Sequence, residues 1–305
     1  MSYKSTMVAI PARAADATAS QAACQFAIDH AKRSGGYVRG LLVSEVKDSS
    51  KPAPNPISSN MMPQEALGAS TPARMPGSNS PPDPAEQIQA RAREAFRTRC
   101  NAAGVEFAEA ADGDKLPAAS WQAERGSLDE VVDREAIGHD LVVLPVPSTV
   151  KDAGKAAKRT LTKTWKPVLI MPPSHKRASN GALGRMIIAW DGGLQAWHAV
   201  SAALPFLEQA ESVEILTVDA PAGSEAMRAK LLHYLACHGI EATYNDRLSR
   251  SLSVGETILG EASDGEFSLL IMGAYTRGPL REKLKGGATQ HVLNHAAATP
   301  VFLAH

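Results

Sequence analysis

The chain lacks a surplus of either charge. Lysine plus arginine and aspartate plus glutamate each number 32. A protein that wraps nucleic acid usually carries a basic excess, so this balance argues against a nucleic-acid partner. Aromatic residues are few, while the apolar fraction is that of a globular protein. Cysteine is scarce: Cys24, Cys100 and Cys237 are odd in number and scattered, which does not read as a disulfide framework and fits a reducing compartment. No apolar run approaches the length of a bilayer span. The apolar run at 7–10 is shorter than the core of a signal peptide and leads into polar, helix-forming sequence. The expected location is the cytoplasm, away from membranes. Catalytic signatures are missing as well. No Gly-x-Ser-x-Gly elbow occurs, and Gly154-Lys155 lacks the upstream glycine and following Ser/Thr of a P-loop.

What the sequence does hold is alternation. Strand-length apolar runs at 7–10, 38–43, 141–144 and 168–171 alternate with longer segments of helical spacing, such as 19–33 and 86–103. The second half repeats the pattern, with runs at 186–190, 213–218, 269–272 and 301–303 and helical segments at 196–209 and 225–238. Continuous apolar runs suit parallel strands buried on both faces. The alternation predicts parallel α/β sheets with right-handed crossovers.

The halves align with each other. Residues 8–10 fall on 188–190 at an offset of 180, residues 141–144 on 269–272 at 128, and residues 167–170 on 300–303 at 133. The first repeat therefore holds about 52 extra residues, most of them in a stretch at 47–84 rich in proline, serine, asparagine and methionine. That composition predicts a long mobile loop. A proline-bearing polar run from Pro172 predicts a linker at 174–184, between a first domain at 1–173 and a second at 185–305.

One stretch carries chemistry. Leu269 to Gly273 reads as a buried strand, and Gly286-Gly287-Ala288-Thr289 reads as a helix start. Backbone N–H groups at such a start can hold phosphate. Glycines after a strand also make tight turns and close helix–strand contacts, so a purely structural role stands beside the ligand role. Asp191, after the first strand of the repeat, serves equally well as a ligand contact or as a helix cap. His291 and His295, and likewise His233 and Cys237, have a helical i, i+4 spacing with no third metal ligand in sight. The basic run Lys151, Lys155, Lys158, Arg159, Lys163 and Lys166 reads as a solvated helix face.

These features together resemble the universal stress protein family in its tandem two-domain form. The resemblance implies two flavodoxin- or Rossmann-like domains, each a mainly parallel five-stranded sheet flanked by helices. It implies a non-catalytic regulatory protein of the stress response, with slow ATP hydrolysis and a scaffold without a live pocket as the alternatives. Family members that bind ATP have an acidic residue after the first strand. After the fourth strand they carry Gly, two residues, Gly, nine residues, Gly and Ser/Thr. Carried over, the pattern places Asp191, Gly192, Val218, Met272, Gly273, Gly286, Gly287, Ala288 and Thr289 around an adenine nucleotide, ATP or AMP with Mg²⁺. Thr276 and Gly287 depart from the motif, at its second glycine and its Ser/Thr. The run of Gly273-Ala274-Tyr275 with Leu280-Arg281-Glu282 resembles a variant of tandem members of proteobacterial type. In the first repeat Pro11 or Ala12 stands where the acid is expected and Pro145 where the first glycine is expected, which marks a degenerate site. The resemblance also implies that the two domains pack through their last strands as a pseudo-dimer, and that two chains associate as a homodimer.

Overall fold

The computed structural model describes residues 2–45, 83–108, 115–146, 150–173, 183–275, 287–296 and 298–305. Most of the 47–84 stretch and of the expected linker lie outside the described residues, as do Thr276 and Gly286.

The first half opens with β1 (Ser5–Pro11), a 3-10 turn (Ala12–Ala14), α1 (Thr18–Ser34) and β2 (Tyr37–Ser44). It continues with α2 (Pro84–Ala103), β3 (Glu106–Phe107), β4 (Ala118–Arg125) and α3 (Leu128–Glu135). It closes with β5 (Leu141–Pro145), α4 (Val150–Arg159) running into a π turn (Thr160–Thr164), and β6 (Val168–Met171). The second half holds β7 (Arg185–Ala189), α5 (Leu194–Leu207), β8 (Ser212–Val218), α6 (Glu225–Cys237) and β9 (Ala242–Arg247). Then come α7 (Val254–Asp264), β10 (Leu269–Gly273), α8 (Ala288–His295) and β11 (Val301–Ala304).

Local chemistry sets several boundaries. The Asp83 carboxylate accepts a hydrogen bond from the Ala85 N–H and Pro84 opens α2, a favourable N-terminal pairing. Ser253 and Glu256 form a reciprocal capping box at the start of α7. Gly35 and Gly104 end α1 and α2 in the left-handed region, at φ 55° and 72°.

All eleven strands belong to one sheet, ordered β3-β4-β2-β1-β5-β6-β11-β10-β7-β8-β9. Taken in chain order, the five long strands of each half run 3-2-1-4-5, which is the Rossmann order. The first half departs from five strands by the two-residue β3 at its edge, paired through Glu106 and Ala118. The register bears out the internal alignment. Val8 pairs with Val143 as Ile188 pairs with Ile271, and Pro145 pairs with Met171 as Gly273 pairs with Ala304.

The halves meet at β6 and β11, which pair antiparallel through Val168 with Leu303 and Ile170 with Val301. The last strands thus join as the resemblance implied. Strand residues are buried on both faces, as with Met7, Val8 and Ala9 in β1, which is why the strands read as unbroken apolar runs. An aromatic cluster closes one side of the seam. Phe206 of α5 lies 5.6 Å from the Tyr3 ring and 5.3 Å from His30, and 5.7 Å from Phe302 of β11. The Tyr3 hydroxyl donates to the Ala202 carbonyl of α5.

Candidate functional site

In each half the strand order reverses between the first and fourth strands. Ligands of open α/β sheets bind at the carboxyl ends of the strands beside such a switch point. In the second half this is the end of β7 and β10, which pair through Ala189 and Met272. Asp191 and Gly273 flank it, and Val218 closes β8 next door.

The turn after β7 is compact. Gly192 takes φ 76°, a left-handed conformation that glycine adopts freely. The Asp191 carboxylate then accepts a hydrogen bond from the Gly193 N–H at 2.8 Å. Gly193 is the N-cap of α5. Asp191 therefore holds the turn that launches α5 while remaining exposed.

Gly273 has a different task. A Cβ at this position would lie 2.5 Å from the Gln195 carbonyl carbon and 2.6 Å from the Ala196 nitrogen. The bare Cα therefore lets the first turn of α5 rest on the end of β10. The space a side chain would take beside Gly273 is filled by helix backbone. Met272 is buried in the core below.

Among the described residues no atom lies within 4 Å of where a Cβ on Gly287 would stand. Gly287 is the N-cap of α8 and has no side-chain cap. Its carbonyl accepts from the Gln290 and His291 amides. The N–H groups of Ala288 and Thr289 point out of the first turn, where the helix has no carbonyl for them. Uncapped amides at a helix start suit an anion. Free amides at a helix start suit a phosphate and the Asp191 carboxylate suits a hydroxyl-bearing group, so the chemistry of the residues present is compatible with a nucleotide.

Asp219 was not singled out from sequence. It follows Val218 with φ 52°. Its carboxylate accepts from the Ser249 N–H at 2.9 Å and from the Ser249 hydroxyl at 2.6 Å. Those two bonds hold the carboxyl below its ordinary range. Asp219 ties the end of β8 to the segment after β9. An acid directly after a strand was the available signal.

The first half presents the opposite chemistry at the equivalent place. Pro11 and Pro145 occupy the positions of Asp191 and Gly273, and neither offers an N–H. α1 begins seven residues after Pro11, whereas α5 begins three residues after Asp191. The 3-10 turn Ala12–Ala14 takes up part of that difference.

The other clusters stay structural. His291 and His295 stack at 4.1 Å, and His295 Nδ1 lies 2.8 Å from the His291 carbonyl. The Cys237 thiol and His233 Nε2 are 3.7 Å apart on an exposed face of α6. Among the described residues no group of three His, Cys, Asp or Glu is placed to hold a metal ion. No helix among them is long and apolar enough to cross a membrane.

No protein-family model matches the chain, and no curated protein matches it. Solved structures do. A universal stress protein from Archaeoglobus fulgidus superposes with a TM-score of 0.63 at 15% identity, over 98% of this chain and 97% of the other. A functionally unknown protein from Pseudomonas aeruginosa superposes with a TM-score of 0.51 at 12% identity, over 99% of this chain and 92% of the other. Over nearly its whole length the chain has the fold of a tandem universal stress protein.

Proposed function

We infer that the chain is a tandem universal stress protein that works as a cytoplasmic, non-catalytic regulatory module. Its two domains, 1–173 and 185–305, are joined by a linker at 174–184. The second domain binds an adenine nucleotide or a similar small anionic ligand, one per chain. The observations that carry this reading are the Asp191 turn at the end of β7 and the start of α8 at Gly287, the next described element after β10, the strand that pairs with β7.

In this reading Asp191 meets the adenosine, Val218 meets the base, and the amides of Gly287, Ala288 and Thr289 hold phosphate oxygens. The Thr289 hydroxyl substitutes for the one that Gly287 lacks. Mg²⁺ would enter with the phosphates, which would supply its ligands together with water. The bound nucleotide sets the state of a surface that protein partners read, and two chains associate as a homodimer.

A thermal-shift titration with ATP, ADP and AMP, with and without Mg²⁺, tests the reading. Ligand at about 100 times its Kd stabilises the folded chain by about 2.7 kcal/mol. An Asp191→Ala variant loses the shift. Equal melting temperatures at every nucleotide concentration would sink the proposal. They would favour a scaffold without a live pocket, a reading supported by the α5 backbone that fills the space beside Gly273.

A further inference from the structure

The first half, with prolines at its own switch point, reaches the site of the second. Ala274 and Tyr275 follow β10, and Gly287 opens α8. Groups from the first half meet Tyr275 and His305 and pack against α8.

His305 Nδ1 lies 2.7 Å from the Ala274 carbonyl, placed to donate to it, and the Ala274 N–H donates to Ala304 at 2.8 Å. The ring of Trp165, from the first half, lies 5.2 Å from the His305 ring. The antiparallel register of β6 and β11 puts these two residues side by side. The Lys158 ammonium of α4 lies 5.8 Å from the centre of the Tyr275 ring, within cation–π range. Its neighbours are already matched: Lys155 pairs with Asp129 at 3.0 Å, and Arg159 with Asp133 at 2.9 Å. Among the described residues Lys158 meets no carboxylate. Tyr275 itself takes φ 56°, a costly conformation for a bulky side chain, and among the described residues its buried hydroxyl meets no hydrogen-bond partner. Residues so placed persist when their surroundings hold them. Further on, α4 packs against α8.

The grip runs one way. The internal alignment puts Pro172 where His305 stands, Ala298 where Trp165 stands and Pro147 where Tyr275 stands. None of these side chains can repeat the ring and charge contacts in the reverse direction.

We propose that Lys158 and Trp165 of the first half are positioning residues for the ligand site of the second, holding the Ala274–Tyr275 stem and the α8 start in the binding geometry. The first domain is then a built-in clamp on its neighbour's site. This rests on the nucleotide reading for its biological meaning and on the contacts for its physics.

Amide hydrogen exchange of the full chain without ligand tests it, read at Ala274 and at His291 to Leu293. Lys158→Ala and Trp165→Ala raise exchange there about three- to tenfold, the range of a lost cation–π or ring contact. The denaturant midpoint stays in place, and Lys158→Arg keeps the slow exchange. Unchanged exchange in both alanine variants overturns the proposal. So does an increase spread over both halves with a lower midpoint, or an arginine variant as fast as the alanine. ATP supplies a second readout: Lys158→Ala weakens its Kd severalfold and Lys158→Arg does not. Should ATP fail to bind the unaltered chain, the nucleotide reading falls, while the exchange experiment still decides the positioning role.

Discussion

The two halves share strand order and register, and they part company at the carboxyl edge of the sheet. There the first half has Pro11 and Pro145, and the second has Asp191 and Gly273. Gly273 permits α5 to begin close against β10, and Asp191 fixes the turn into that helix. In the first half α1 begins further along the chain from its strand. The lesson is that a repeated fold can keep its core while the residues at the ends of its strands diverge.

Acid separates the halves most strongly. His30 and His139, both in the first half, are buried neutral, each pushed from 6.5 down to about 4 by burial first. Arg33 adds to the effect at His30; Arg39 and Lys166 add to it at His139, against an opposing Asp140. The unfolded chain takes up protons that the folded one refuses, so stability present above pH 6.5 is lost as the pH falls towards 4. The loss is of order 3 kcal/mol for each histidine. Denaturant midpoints at neutral pH and near pH 4.5, compared with those of a His139→Gln variant, measure it. A pH-independent midpoint would contradict the burial argument.

Gly273→Ala comes next. The added methyl meets helix backbone that cannot rotate away, and the chain loses about 1–3 kcal/mol. Pro145→Gly, the reverse exchange in the first half, changes stability by under about 1 kcal/mol, through the freer unfolded chain. Equal effects at the two positions would remove the asymmetry.

Much of this was legible in the sequence. Eight strands announced themselves as apolar runs because they are buried on both faces, and the offsets between repeats survive as sheet register. β4 and β9 were not found that way. Ala118–Arg125 and Ala242–Arg247 are largely polar, since β9 is an edge strand and β4 is covered only by the two residues of β3. The resemblance put Asp191 and Gly192 in the turn after β7 and Gly287 at the start of α8, and the structure has a turn and a helix start at those positions. The true neighbour of Gly273 was not legible, because the contact is with a helix some eighty residues earlier. Lys158 read as one more solvated lysine for the same reason: its ring partner comes from the other half.

Smaller effects sharpen the site. Asp191→Ala removes the bond to the Gly193 N–H and lowers stability by about 0.5–1.5 kcal/mol, whereas Asp191→Asn keeps an acceptor and most of that stability. A nucleotide shift lost in both variants assigns the charge to the ligand; a shift lost only with alanine assigns it to the turn. Gly287→Ser meets no atom of the described residues and adds a helix cap worth a few tenths of a kcal/mol. The midpoint hardly moves, and the new hydroxyl either caps the helix or reaches a phosphate, which a Kd distinguishes.

The central claim is one live crevice per chain, in the second half. Calorimetric titration of the intact protein with ATP and Mg²⁺ tests it most directly. The account predicts one site per chain, lost in Asp191→Ala and retained in Pro145→Gly. Two sites per chain, or binding that survives Asp191→Ala, would contradict it.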